Sequence, residues 1–456
     1  MSKFKAYSVA QGQLLPQNLD DDISPDHIAR LINTVVDELD LSFIEKMYSI
    51  DGRSAYHPKM LTKVLVYGYT IGVRSSRKLA DRLHEDVVFM WLSGRQSPDF
   101  RTISDFRKSK LIDVKKIFIE VLNLCRQLGM VRVGKVSIDG TKFRGNANGN
   151  RMQYRKILEK RKKTIEEQVN DIFDEVENID REEDEIYGDS TEHTGVKWSD
   201  VDVKKILGKM ARKKKSLANK VSKLQSRKID IDSKLRKMRK DRNSMSSTDK
   251  DATMMLMKEQ YIAPGYNAQI ATERQVILAY DLSSNRNDNK LLRPMIEAVR
   301  KNTGKYPEFA IADAGYGSKM NYRFLNSKKI TSFIPYNNFN KEMSDRSNGI
   351  YTHTKDKELA RYKFTQQMRL KSKEGERMMK RRREDVEPTF GDIKRNMNFR
   401  TFGLRGKTKC SIELGLISIG HNIKKVKSYL KKASEWNNGN MQVEKLGMIL
   451  GYQLAS

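Results

Sequence analysis

Val133-Gly134-Lys135-Val136-Ser137-Ile138-Asp139-Gly140 is where a chain that reads as helical up to that point changes its pattern. Val133, Val136 and Ile138 are apolar among short polar residues and glycine follows at once, which predicts a strand with Asp139 at its carboxyl end. Phe309-Ala310-Ile311-Ala312 repeats the arrangement and ends in Asp313 and Gly315. Between the two, Tyr266 to Ala271 alternates and Val276 to Leu282 is an apolar run, with Thr272-Glu273-Arg274 as the turn. Asp288 reads as the N-cap of a helix through Leu292, Met295, Ile296 and Val299. Gly317 to Leu325 reads as a further helix and Ser332-Phe333-Ile334 as a further strand. The succession predicts an α/β core, a mixed sheet flanked by helices.

Upstream, residues 20 to 130 read as several short helices. Pro25 precedes an apolar stripe of Ile28, Leu31, Ile32, Val35, Val36 and Leu39, and Pro58 opens a second (Leu61, Val64, Leu65, Ile71). Ser76 reads as an N-cap. A helix near Thr102 should turn Ile103 and Phe106 inward and Arg101, Arg107 and Lys108 outward. This segment fits a DNA-contacting module or an ordinary packing domain equally well, and no groove-reading helix stands out.

Residues 150 to 245 differ again. Ile165, Val169, Ile172, Val176 and Ile179 keep a heptad rhythm, as do Leu217, Val221, Leu224, Ile231, Leu235 and Met238, broken only by Lys228. With the polar stretch Gly188 to Ser199 between them, they predict a two-helix hairpin. Its first arm carries roughly −11 and its second roughly +14, so antiparallel pairing sets opposite charges side by side. A solvated spacer is the plainer reading of such a hairpin.

The 456 residues suggest about three domains. We delimit a helical N-terminal domain at 1–130 for DNA binding or dimerisation and an α/β core at 131–150 and 246–432. The inserted hairpin takes 151–245, and a tail 433–456. Lys+Arg total 88 against 58 Asp+Glu, a formal charge of +30. Such a balance points to a polyanionic partner, because Lys and Arg release the counterions condensed on phosphate backbones. Hydrophobic residues at 38% suffice for a substantial core. A mean hydropathy of −0.70 and no apolar run of spanning length exclude an integral membrane protein. The first residues lack the apolar core of a secretory signal, so a cytoplasmic location is expected. Cys125 and Cys410 are too few for a disulfide framework, and the six histidines lack the spacing of a zinc site. Trp91, Trp198 and Trp436 read as packing residues.

Chemistry concentrates on Asp139 and Asp313, since reactive groups of open α/β sheets gather at the carboxyl ends of strands. Either aspartate alone is more simply a turn cap. The helical segment Met378 to Met397 carries further acids, Glu384, Asp385, Glu387 and Asp392. If it crosses the strand ends, one of them joins the pair. Three carboxylates would hold two hard divalent ions about 4 Å apart, the arrangement that supports phosphodiester attack.

Arg383, three residues, Glu387, six residues, Lys394 resembles the R-(3)-E-(6)-K signature around the third acid of DDE transposases of bacterial insertion sequences. Val386-Glu387-Pro388-Thr389-Phe390-Gly391-Asp392-Ile393-Lys394 and Arg405-Gly406 are similar to that family. So are Ile138-Asp139-Gly140-Thr141-Lys142, Ala312-Asp313-Ala314-Gly315-Tyr316 and Gly265-Tyr266-Asn267-Ala268-Gln269. The N-terminal stretches His57-Pro58, Trp91-Leu92-Ser93-Gly94 and Thr102 to Arg107 resemble the helical domain that precedes the catalytic core in these enzymes. One position departs from the pattern: Lys380 stands where the signature has tyrosine.

The resemblance implies a ribonuclease-H-like core in which Asp139, Asp313 and Glu387 are the catalytic metal ligands for two Mg²⁺ ions, with Mn²⁺ able to substitute. Glu384 is the backup acid, one turn from Glu387. Arg383, Lys394, Lys380, Lys142 and Arg405 are the implied DNA contacts. The implied activity is cleavage at the element's ends and joining of the 3′-hydroxyls to target DNA. It is carried out by a homodimer or larger assembly in the bacterial cytoplasm, at the nucleoid. Two alternatives stand beside it: a DNA-binding protein with a decayed nuclease fold, and a structure-specific nuclease of the same fold.

Overall fold

Strand β1 (Lys135–Arg144) is the middle of a mixed sheet. Ile262–Glu273 (β2) runs antiparallel beside it, with Asp139 opposite Ile270 and Gly140 opposite Gln269, and Val276–Ser283 (β3) folds back antiparallel on β2. On the other edge of β1, Phe309–Ile311 (β4) and then Thr331–Phe333 (β5) run parallel to it. The order β3-β2-β1-β4-β5 makes β1 and β4 neighbours, with Asp139 midway along β1 and Asp313 two residues past the end of β4. This computed structural model describes residues 18–48, 54–187, 215–238, 243–340 and 354–435. The expected linker Gly188 to Ser199, Trp198, Trp436, His193, His353 and the tail from 436 onward lie outside the described residues.

The β2–β3 turn comes later than the sequence predicts. Thr272 and Glu273 remain in β2, and Arg274 and Gln275 turn with φ of +53° and +65°. Paired positive φ values match the right-handed twist of the flanking strands, even without glycine. Glu273 is buried and accepts from the backbone N–H of Arg132, Val133, Gly134 and Lys135 at 2.7–3.1 Å. That clamp sets the entry into β1, where Val133 sits at φ +59°.

Helix Lys373–Gly391 crosses the face of β1 that carries Asp139. It buries Met378, Asp385, Val386, Thr389 and Phe390. Ser137, Asp139 and Thr141 alternate along the strand and share one face. The Ser137 hydroxyl donates to Asp385 at 3.3 Å, Arg382 donates to Asp139 at 3.1 Å, and Lys394 donates to Thr141 at 2.7 Å. Pro388 lies inside this helix and has no N–H to give the carbonyl four residues back, that of Glu384. Gln275 Nε2 takes up that carbonyl at 2.9 Å. Lys394 follows in a single π-helical stretch, Asp392–Asn396.

The sequence stripe Ile412, Leu416, Ile419, Ile423 and Val426 predicts a last helix packed on the sheet with Lys424, Lys425 and Lys427 outside, and helix Lys407–Glu435 buries that stripe. Its lysines depart from the expectation. Lys424 pairs with Asp392, Lys425 donates to Gln275 Oε1 at 2.6 Å, and Lys427 stands 3.7 Å from Asp26. His421, fully buried, bridges Asp392 and the Gln275 carbonyl at 2.8 Å each. Burial alone would raise the Asp392 carboxyl. Hydrogen bonds from His421, Lys424 and Asn396 outweigh it and hold the group well below the usual carboxylate range.

The N-terminal helices Ile28–Glu38 and Pro58–Thr70 bury most of the predicted stripes, and His57 caps the second; Ile28 is half-buried, and Ile71, past the end of its helix, is exposed. Arg107 does not face outward. It is buried and donates to the Tyr69 hydroxyl, the Arg74 carbonyl and the Ser76 hydroxyl, while Tyr69 donates to Glu413 at 2.8 Å. Glu413 also accepts from the backbone N–H of Gly403 and Leu404. A carboxylate with no solvent needs this many donors, and distant segments of the chain supply them. Residues 1–146 and 255–456 accordingly form one compact unit, and residues 147–254 a second.

In the second unit, helices Arg155–Tyr187 and Lys215–Lys237 pair in opposite order: Ile165 and Val169 cluster with Ile231 and Met238, and Ile172 and Val176 with Leu217 and Val221. Lys228, the break in the heptad rhythm, is accommodated by an ion pair with Glu166 at 2.9 Å. Among the described residues, no helix is long and apolar enough to cross a membrane.

Candidate active site

Asp139 and Asp313 are separated by well over a hundred residues in sequence, yet the charge of Asp313 acts on Asp139, and one guanidinium, that of Arg382, acts on both. Asp139 Oδ1 accepts from the Gly140 N–H at 2.8 Å, and its Oδ2 accepts from Arg382 Nη1 at 3.1 Å. Asp313 Oδ1 accepts from the Gly315 N–H at 2.9 Å, the cap of a short 3₁₀ turn. Burial pushes the Asp139 carboxyl up; Arg382 and the Gly140 N–H oppose this, Asp313 and Asp288 add to it, and the result is about 6. Burial likewise raises Asp313, against the pull of Arg382.

A third aspartate stands close enough for its charge to act on both, and the sequence assigned it another task. Asp288 does not cap a helix with its side chain. The helix begins at Leu292, and Asp288 Oδ1 accepts from Asn267 Nδ2 at 2.6 Å and Gln269 Nε2 at 2.9 Å. Gln269 Nε2 also donates to Asn267 Oδ1 at 2.9 Å, while its Oε1 accepts from the buried Tyr316 hydroxyl. The Gly-Tyr-Asn-Ala-Gln stretch of β2 is thus a polar cradle beside the aspartates. Gly140 makes room for it, since a Cβ there would lie 2.0 Å from Gln269 Nε2 and 2.9 Å from Asn267 Oδ1.

Among the described residues no hydrogen bond or ion pair joins the other sequence candidates, Glu387 included, to this pair. Lys394 reaches Thr141, two residues beyond Asp139, and lies 5.3 Å over the Phe143 ring; burial lowers its ammonium pKa. Lys142 lies opposite Asn267 on β2, on the other face of β1 from Asp139. Lys380, Arg383, Glu384 and Glu387 are exposed on the crossing helix, with Lys380 3.9 Å from Glu384. Arg405, also exposed, donates to the Asn146 carbonyl at 2.9 Å. The carboxylate of this helix that touches β1 is Asp385, through Ser137, and it also meets the Arg381 guanidinium. Among the described residues, no three His, Cys, Asp or Glu side chains gather closely enough to hold a metal ion.

Sequence reasoning missed Arg382, Asp288 and the cradle. Counting back from the buried Asp385 and Val386 at helical spacing would have turned Arg382 toward the sheet. Asp288 follows the end of β3 much as Asp313 follows β4.

The pair suits a hard divalent cation in its chemistry: two sets of carboxylate oxygens on central strands. That of Asp313 lies just past the end of β4. That of Asp139 lies in the middle of β1, which runs on to Arg144 and so corrects the expectation that Asp139 ends its strand. A mixed β3-β2-β1-β4-β5 sheet with aspartates placed so, and a helix crossing them, defines the ribonuclease-H-like class of phosphodiester-processing folds. Two family models match the sequence: the Transposase domain (DUF772) over residues 17–109, and the Transposase DDE domain over residues 223–423, which takes in Asp313, Glu387 and Lys394. The chain belongs to the DDE transposases of insertion sequences, a family whose members act on DNA and use divalent metal ions. No curated protein and no solved structure matched.

Proposed function

We propose that this protein binds the ends of its own insertion sequence, cleaves there by metal-dependent hydrolysis and joins the freed 3′-hydroxyls to target DNA. The observation that carries this is the coupling of Asp139 to Asp313 on adjacent strands, beneath a helix that directs Arg382 and Lys394 to the same face. Asp139, Asp313 and Glu387 would hold two Mg²⁺ ions, or Mn²⁺ in their place. Bound there, the ions would activate the attacking oxygen and neutralise the leaving one.

The chain's own contribution is binding and orientation. Lys394 is held against β1 by Thr141, two residues beyond Asp139, so its ammonium is fixed on that strand for a phosphate. Arg383 and Lys380 are exposed on the crossing helix, Arg405 is exposed beside Asn146, and Lys142 lies on the other face of β1; each would meet DNA from its own side. Each phosphate they neutralise reduces repulsion of the incoming oxygen. Joining two ends calls for a homodimer or larger assembly on DNA, and the work belongs in the cytoplasm at the nucleoid.

The test is cleavage of element-end DNA with Mg²⁺. Asp139→Asn, Asp313→Asn and Glu387→Gln should each lose cleavage, whereas Glu384→Gln should cut as the parent does. If Asp139→Asn and Glu387→Gln cut normally, the catalytic assignment is wrong. Pre-cut ends should yield joined products; cutting without joining would identify a structure-specific nuclease instead.

A further inference from the structure

Arg382 is the cation that acts on both aspartates, and it is held by few contacts. A guanidinium has five N–H donors. Arg107, another deeply placed arginine, uses its own on three partners, Tyr69, Arg74 and Ser76. Among the described residues Arg382 makes one hydrogen bond, to Asp139 Oδ2, and its Nε is buried without a partner, as is that of Arg107. Its side chain is only 15% exposed. A guanidinium that spends one hydrogen bond on the protein and leaves its Nε dry gains little from where it sits, beyond the charge of the two carboxylates.

The Asp139 oxygen that Arg382 occupies is one that a divalent ion would need, and two cations at one carboxylate pair repel. A DNA phosphate, by contrast, offers a guanidinium a forked, charged acceptor that matches its geometry. The neighbours of Arg382 on this helix, Lys380 and Arg383, are exposed and cationic and offer a phosphate backbone its first contacts, while Arg382 faces β1 from the same helix.

We propose that Arg382 is a displaceable counter-cation of the Asp139–Asp313 pair: it competes with the divalent metal in the DNA-free protein and yields its place when a DNA phosphate takes the guanidinium. Metal and DNA then bind cooperatively, and by linkage each tightens the other by the same factor, about 5- to 150-fold for couplings of ordinary size. The protein alone is spared a loaded metal centre, and the centre assembles where there is a phosphate to cut. This rests on the assignment of Asp139 and Asp313 as metal ligands, and the experiment separates the two.

Mn²⁺ is titrated into the full-length protein at pH 8 and free and bound ion are read by electron paramagnetic resonance. The titration is run with and without a pre-cut element end blocked by a 3′-deoxynucleotide, which can be neither cut nor joined. Arg382→Gln should bind Mn²⁺ at least about tenfold more tightly than the parent without DNA, and the gain on adding DNA should shrink toward one. Arg382→Lys, which keeps the charge, should retain most of the DNA-dependent gain. Equal or weaker Mn²⁺ binding by Arg382→Gln, while Asp139→Asn loses the ion, overturns the proposal and leaves the catalytic reading standing. Mn²⁺ binding by Asp139→Asn equal to the parent's overturns both. An Arg382→Gln protein that no longer folds would make the guanidinium a structural anchor and also overturn the proposal.

Discussion

Gly140→Ala is the smallest change that should dismantle the site's polar cradle. The added methyl would sit 2.0 Å from Gln269 Nε2 and 2.9 Å from Asn267 Oδ1, so the Gln269 side chain must leave. It would abandon its bonds to Asp288, Asn267 and Tyr316. Losing three buried hydrogen bonds, with partners left dry, costs about 3–6 kcal/mol. Replacing a strand glycine by alanine returns about 0.5–1 kcal/mol through the unfolded chain. A net loss of about 2–5 kcal/mol is expected, read as a shift of the urea midpoint, together with faster amide exchange along β1 and β2. Gly391→Ala is the matched control. Gly391 is helical, and a Cβ added to it would meet nothing within 4 Å, so alanine there should stabilise by about 0.5–1 kcal/mol. A Gly140→Ala protein within about 0.5 kcal/mol of the parent, with unchanged exchange in β1, would refute the cradle as described.

Three further outcomes follow from the same geometry. With Asp139 raised from 3.8 to about 6, the folded protein keeps a proton that the unfolded chain loses between those values. Metal-free stability therefore falls as pH rises through that window, by about 3 kcal/mol in all. In chelator, Asp139→Asn should exceed the parent by about that amount at pH 8 and match it near pH 3.5; equal stabilities at both pH values would contradict the burial of this carboxylate. Glu273→Gln leaves one oxygen to serve the four N–H groups of residues 132–135 and should lower stability by about 3–5 kcal/mol, visible as a lower denaturation midpoint. DNA affinity should fall steeply with added salt in filter-binding titrations, and a flat response would argue against phosphate contacts by the basic surface.

The elements themselves were legible. Alternation around Val136 and Ile138, the apolar run from Val276 and the stripes of the N-terminal helices all report one buried face, and burial of a face is a local, periodic property. The place of Asp313 after its strand and the spacing of Arg383, Glu387 and Lys394 were legible for the same reason, being written along short stretches; the end of β1 was not, because its continuation to Arg144 is fixed by pairing with β2. Arg107 and the lysines of the last helix were misread as outward because their acceptors, the Tyr69 hydroxyl and the Asp392 carboxylate among them, come from remote parts of the chain. Asp288 was misread because a residue before a helix looks the same whether its side chain caps that helix or turns to Asn267 and Gln269.

The amino-acid sequence by itself determined the strands, the family, and that Asp139 and Asp313 both go with strands of the core; that these strands are neighbours, and that β1 runs on past Asp139 to Arg144, came from the structure. Only the tertiary structure decided which side of helix Lys373–Gly391 meets β1, and therefore that Arg382 and Asp385, rather than Arg383 and Glu387, touch it. The reason is geometric: successive helical residues point about 100° apart, so the face presented depends on how the helix is pinned. Here the pins are Pro388 releasing the Glu384 carbonyl to Gln275, and Asp392 gripped by His421 and Lys424. Those contacts join segments that only folding brings together.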